Sequence, residues 1–368
     1  MKLFDILLFL IRSELWGERI MKKGLTEKGF KIMLALAERQ TVEGMMCAAL
    51  LESGVHLQRL QANTLFVLLN KIANRSDKVN GEVVALTQLL QKHSIRFFVV
   101  KGAVVATRYR HPLYRVSGDI DFYCNGEDLE KAKTVIAQEW GVEIESPEHD
   151  LSLHYGFSHN DVDYEMHFCL NRFLDSGNQR YFDNLIATTP LSSVVINGVA
   201  IPVLDQRLNV VYTFLHLWHH LLEVGVGLRQ VCDMAVLLHE LQLQNDPAVN
   251  HDICVILDTL GFTKAFECLE WMLARHLGLE EKLLPVPISA DYSAYVDKMI
   301  KIIAKRGNFG KYGRKNRVRS GFGYFVEQFF IKITHYRRFY SLSPRENRAF
   351  FLHELPLKVG MALTGRLR

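Results

Sequence analysis

The chain has 368 residues, 49% hydrophobic and 23% charged, with a mean hydropathy of +0.03; this is the balance of a globular protein with a sizeable core and room for two or three structural units, not of a collagen-like or globally disordered chain. Six scattered cysteines without a C-x-x-C pair or zinc-type spacing fit a reducing, cytoplasmic setting. The formal charge of +4 hides an asymmetry, because Lys301 to Arg368 holds 16 Lys and Arg against three acidic residues, a net of +13 that leaves −9 on residues 1–300.

The apolar run from Ile6 to Ile11, bounded by Asp5 and Arg12, is too short to span a bilayer and meets no small-x-small cleavage site, so it predicts an amphipathic first helix and no membrane span. Apolar spacing at Phe30, Met33, Leu34, Leu36 and Ala37, then at Leu60, Leu65, Leu68, Leu69 and Ile72, predicts a helical N-terminal region over 1–81. A helix over 82–93 and a short strand from Arg96 to Val100, ending at the Lys101-Gly102 turn, open a mixed α/β unit over 82–204. Strands over 119–124, 151–158, 162–168 and 194–203, with a helix over 127–140, complete it. The helical period returns over 208–222 and 231–241 and runs past Leu257 to Leu277, predicting a helical domain over 205–300 and a basic helical segment over 301–368. The chain reads as predominantly helical around a short mixed sheet.

Chemistry concentrates in the α/β unit. Asp119 and Asp121 stand two apart in Gly118-Asp119-Ile120-Asp121-Phe122, so on a strand both face one side, a spacing that suits a hard divalent ion such as Mg²⁺ or Mn²⁺. Asp163, Glu165 and His167 alternate on a second strand and offer a third carboxylate. Three carboxylates around two ions form a solution for in-line displacement at phosphorus. Lys101-Gly102-Ala103, opening a helix predicted over 103–109, would turn backbone N–H groups toward phosphate, and Lys101 adds a positive charge.

The order of strand, Lys101-Gly102-Ala103, helix, Arg115-x-x-Gly118-Asp119-Ile120-Asp121 and Glu165-x-His167 resembles the nucleotidyltransferase superfamily, in particular its bacterial branch of uncharacterised nucleotidyltransferase family proteins. His216-Leu-Trp-His219-His220 and Gly227-Leu228-Arg229-Gln230-x-x-Asp233 extend the resemblance across about residues 96–240, and Gly307-Asn308-Phe309-Gly310 extends it more weakly. The resemblance implies a nucleotidyltransferase-like α/β core embedded between helical regions. It also implies a two-metal transfer of a nucleoside monophosphate from a nucleoside triphosphate, ATP first among them, to an unknown acceptor with release of pyrophosphate. Asp119, Asp121 and Glu165 would hold the ions, and Glu165 would help activate the acceptor. A small-molecule, glycan or protein acceptor is implied ahead of RNA. The superfamily usually carries Gly-Ser or Gly-Gly at the phosphate turn, whereas Ala103 follows Gly102 here and brings no hydroxyl.

Other groups rank behind these. Glu165 is preferred to Asp163 as third carboxylate, and His167 reads as a histidine beside the metal site. Arg115 would neutralise the acidic pair or reach the triphosphate. Arg229 and Asp233, spaced i, i+4, read as a helical ion pair with a structural role, Arg229 also joining the phosphate-binding set. His216 and His220 have the zinc-protease spacing but lack its glutamate, so zinc is not expected, and His220 stays in the second tier. Gly307 to Gly313 reads as a turn between helices. The stretch from Lys301 to Arg319, with eight basic residues and Phe309 and Tyr312 among them, suits nucleic acid. Two competing readings follow: a non-catalytic nucleotide-binding or interaction module, and an RNA-end-modifying nucleotidyltransferase.

Overall fold

A computed structural model describes residues 3–18, 25–146, 153–313 and 322–357. Leu151 and Ser152 of an expected strand, and Arg314 to Arg319 of the basic stretch, lie outside the described residues. The N-terminal region holds α1 (Leu3–Trp16), α2 (Glu27–Gln40), α3 (Glu43–Glu52) and α4 (Arg59–Lys92). Thr26 caps α2 by accepting from the Gly29 amide at 3.1 Å, and Leu7, Ile11 and Leu15 of α1 are buried. The helix expected over 82–93 is instead the end of α4, a single helix of 34 residues. Gly81 does not break it, because the buried stripe of Leu65, Leu69, Ile72, Val79, Val83, Leu86 and Leu90 continues on both sides. Glycine costs a helix only about 1 kcal/mol, less than that stripe contributes.

The sheet follows: β1 (Phe98–Val100), α5 (Gly102–Ala106), β2 (Ile120–Tyr123), α6 (Gly126–Trp140), β3 (His154–His159) and β4 (Val162–His167). Its order is β1-β2-β4-β3, with β2 and β4 parallel and the flanking pairs antiparallel. Asn160 and Asp161, at φ 48° and 54°, form the two-residue turn of the β3–β4 hairpin. After α7 (Ser176–Thr188), the expected strand over 194–203 is a hairpin of β5 (Ser192–Ile196) and β6 (Val199–Val203). Asn197-Gly198, both at positive φ, supplies the tight turn that an unbroken strand would not allow.

The helical part contains α8 (Gln206–Glu223), α9 (Leu228–Gln244), α10 (Pro247–Leu260), α11 (Thr263–Leu277), α12 (Ser293–Arg306), α13 (Phe322–Arg338) and α14 (Pro344–Ala349). The helix expected to run past Leu257 to Leu277 is divided at Gly261, whose left-handed φ of 77° closes α10. Helix α8 packs against α9, α10 and α13, and its Tyr212, Phe214 and Trp218 are buried. The Gly307 segment is a turn between helices, as expected, around a short 3₁₀ helix at Asn308–Gly310. Among the described residues no helix is long and apolar enough to cross a membrane.

Candidate active site

Alternation on two parallel strands builds the site. Ile120 and Phe122 of β2, and Tyr164 and Met166 of β4, are buried at 2%, 0%, 1% and 0% exposure, so the core claims one face of each strand. The other face carries Asp121 on β2 and Glu165 and His167 on β4, with Asp119 just before β2. In the parallel register Asp121 stands beside Glu165 and Tyr123 beside His167. Asp119, Asp121, Glu165 and His167 line one cavity of about 340 Å³, together with Lys101, Gly102, Arg115, Gly118, Arg229 and Asp233. The opposite wall comes from α8 and the turn after α12, through Thr213, His216, His220 and Phe309.

The acidic centre carries its own cation. Lys101, at the left-handed φ of 55°, ends β1 and places Nζ 2.7 Å from Asp121 Oδ1. His167 Nε2 lies 2.9 Å from the same oxygen. Burial would raise the Asp121 carboxyl, but Lys101 and the His167 hydrogen bond hold it well below the usual carboxylate range. Asp119 moves the other way, raised by burial and by the charges of Asp121 and Glu165. Asp119 is thus a half-buried carboxylate beside two others with incomplete compensation, donor chemistry of the kind a hard divalent cation takes.

Behind the acidic centre, the loop before Asp119 is clamped. Ser76 on α4 donates to the Arg115 carbonyl at 3.1 Å, and Arg229 Nη1 donates to the Val116 carbonyl at 3.0 Å. Arg115 donates twice to Asp233, at 2.7 and 2.8 Å, and Tyr109 adds its hydroxyl at 2.6 Å. Gly44 on α3 admits the Pro112–Tyr114 turn, because a Cβ there would stand 2.1 Å from the Tyr114 carbonyl oxygen.

Several expectations are corrected. Asp233 pairs with Arg115 across the fold, not with Arg229 on its own helix, and both Arg229 and Asp233 are buried. Arg115 is therefore paired with Asp233 and not with the Asp119–Asp121 pair. Lys101 is not a free phosphate ligand, since it is paired with Asp121. Ala103 sits in the core and outside the cavity lining, and α5 spans five residues, too short to give the expected helix dipole weight. Asp163 lies outside the cavity lining, exposed, and accepts from Ser158 Oγ at 2.6 Å. Lys301, Lys305 and Arg306 line a separate groove that shares no lining residue with the cavity.

Arg229 is 9% exposed, its Nε has no partner among the described residues, and burial together with Arg115 lowers its affinity for its proton. Arg229 thus brings to the cavity a buried positive charge that no carboxylate pairs among the described residues. Thr213 Oγ1 and His167 Nδ1 are likewise buried without partners on the same cavity. His216 and His220, whose rings meet edge to face at 4.3 Å, are kept neutral by burial, which brings His220 down to about 3.

The sequence reading missed His154, Asn171, Thr213 and Phe309 as cavity residues. For His154 a signal was present. A two-residue turn at Asn160-Asp161 sets His154 opposite His167, each equally far from the turn. The others converge from elements far apart in the chain.

A sequence model of the family described as "Uncharacterised nucleotidyltransferase" matches residues 27–278. No curated protein matches the chain significantly. Among solved structures it is similar to "an antigenic nucleotidyltransferase-like protein" from Paracoccidioides brasiliensis, at 14% identity and a TM-score of 0.33, over 45% of this chain and 77% of that one.

Proposed function

This chain belongs to the uncharacterised nucleotidyltransferase family, and we propose that it transfers a nucleoside monophosphate from a nucleoside triphosphate to an acceptor hydroxyl or phosphate. The observation that carries the proposal is the register of β2 and β4, which sets Asp121 beside Glu165, with Asp119 on the same face and, on the same cavity, Arg229, which has no carboxylate partner among the described residues.

In the reaction an acceptor oxygen bonds to the α-phosphorus while the bond from that phosphorus to the bridging oxygen breaks, and pyrophosphate leaves. Asp119, Asp121 and Glu165 would hold Mg²⁺ or Mn²⁺, which supplies Lewis-acid stabilisation of charge on the phosphoryl oxygens. Arg229 binds the β- and γ-phosphates and stabilises the departing pyrophosphate. Glu165, 31% exposed at its side chain, orients the acceptor and takes its proton. Lys101 keeps Asp121 ionised at the base of the cavity. The ring of Phe309, on His220 at 5.1 Å, offers the base an aromatic wall.

Calorimetry of each nucleoside triphosphate, with and without Mg²⁺, tests this without knowing the acceptor. Wild type should bind in a Mg²⁺-dependent way and the Asp119→Ala/Asp121→Ala variant should not; no binding of any triphosphate by folded wild type overturns the proposal. In an α-labelled transfer assay, Asp119→Asn or Asp121→Asn should lower turnover by about a hundredfold or more. The Lys101–Asp121 pair favours a second reading, a nucleotide-binding module without turnover. That reading predicts binding with no labelled product, and a biological role that survives Asp121→Asn.

A further inference from the structure

Nucleotidyl transfer uses the carboxylates of this cavity and leaves its imidazoles unexplained. His154 on β3 and His167 on β4 face each other across the hairpin, and their rings meet edge to face at 5.1 Å. Glu165 reaches between them, its Oε2 lying 3.3 Å from His167 Nε2 and 3.5 Å from His154 Nδ1. The three donor atoms lie within 4.8 Å of one another.

These spacings are long for imidazole–carboxylate hydrogen bonds, which close to about 2.7–3.2 Å. They match the edge of a coordination polyhedron: two ligands about 2.1 Å from a four-coordinate ion stand about 3.4 Å apart. The residue opposite Glu165 on β3 is Gly156, so no β3 side chain covers Glu165 from that position. The donor chemistry then selects the ion. Mg²⁺ is a hard ion that prefers carboxylate and water, whereas imidazole nitrogen suits first-row transition ions.

We propose that His154, Glu165 and His167 form a two-nitrogen, one-carboxylate site for a first-row divalent transition ion inside the catalytic cavity. As a second ion of that cavity, sharing only Glu165 with the Asp119–Asp121 set, it rests on the nucleotidyl-transfer reading for its purpose, and its binding is measurable without nucleotide. On binding, His167 Nε2 would exchange its Asp121 contact for the ion. Lys101 stays on Asp121 Oδ1, so that carboxylate keeps a partner.

The test is titration of chelator-treated full-length protein with Co²⁺ alone, followed by visible absorption, and with Mn²⁺ alone, followed by pulsed electron paramagnetic resonance. One tight Co²⁺ equivalent with d–d bands, and histidine nitrogen modulation on Mn²⁺, are expected in the wild type and persist in a hundredfold excess of Mg²⁺. His154→Gln should lose one nitrogen coupling and weaken Co²⁺ by about 10- to 100-fold, with circular dichroism confirming the fold. An ion bound without nitrogen coupling in the wild type overturns the proposal and needs no variant to show it. The two readings fail separately. Nitrogen-ligated Co²⁺ without triphosphate binding would sink nucleotidyl transfer alone, and Mg²⁺-dependent triphosphate binding without nitrogen ligation would sink the transition-metal site alone.

Discussion

Removal of the Asp233 carboxylate is the most informative single perturbation of the scaffold beneath the site. Asp233 accepts two parallel bonds from Arg115, at 2.7 and 2.8 Å, and a third from the Tyr109 hydroxyl at 2.6 Å. The Arg115 and Asp233 side chains are only 4% and 8% exposed, so most of the lost contact is a buried one. In Asp233→Ala the guanidinium stays buried with the Val116 carbonyl, 3.5 Å from Nη1, as its remaining acceptor. Breaking a buried pair from one side costs about 3–5 kcal/mol. With a urea dependence of about 3 kcal/mol per molar, the unfolding midpoint should fall by roughly 1 M or more. Asp233→Asn keeps one acceptor oxygen and should lose about half as much. Replacing both partners by apolar residues of similar shape, Arg115→Met with Asp233→Leu, should recover much of the loss, because no charge is then stranded. The assay is equilibrium urea unfolding followed by fluorescence and circular dichroism. Asp233→Ala within about 1 kcal/mol of wild type, or a double variant no better than the single one, would refute the buried-pair reasoning.

Other perturbations separate stability from binding. Arg229→Met removes a buried charge that has no carboxylate partner, so unfolding should shift to higher urea while triphosphate affinity falls about tenfold or more; a stability loss with unchanged affinity contradicts the anion-site reading. Gly44→Ala puts a Cβ 2.1 Å from the Tyr114 carbonyl oxygen and should cost about 1–3 kcal/mol, read as a lower melting temperature, with a neutral result refuting the close approach. His335 is buried, hydrogen-bonds the Leu221 carbonyl at 2.9 Å, and is pushed from 6.5 to about 4 by burial and by Arg306. The unfolded chain takes up this proton first, so the stability it guards is complete above pH 6.5 and declines as pH falls toward 4, by roughly 3 kcal/mol for this group. His335→Asn should flatten that part of the curve in urea unfolding at pH 7 and pH 4.5, and an unchanged slope would remove His335 from the explanation.

The elements of the site were legible because they rest on short-range rules. Period-two alternation put Asp119 and Asp121 on one face and Glu165 and His167 on another strand, and the β-forming run before Lys101-Gly102 marked the start of the sheet. Where local rules competed, the reading erred. The reading set a boundary between residues 81 and 82, yet a buried stripe carried α4 through it. Asn197-Gly198 was a hairpin signal inside what alternation alone made one strand. The i, i+4 rule joined Arg229 to Asp233, but a buried Arg115 offered Asp233 two charge-assisted bonds, stronger than a helical surface pair worth a few tenths of a kcal/mol.

Side-chain chemistry and its period along each strand are local properties, so sequence determined which face of β2 and β4 would be acidic. Partner choice is not local. The parallel register that sets Asp121 beside Glu165, the seating of Lys101 on Asp121, and the Arg115–Asp233 pair 118 residues apart depend on burial, which removes competing water and makes one partner much better than the rest. Burial exists only after the helices close over the sheet, and for that reason tertiary structure decided which charges are satisfied by a carboxylate within the protein and which, as at Arg229, have none among the described residues.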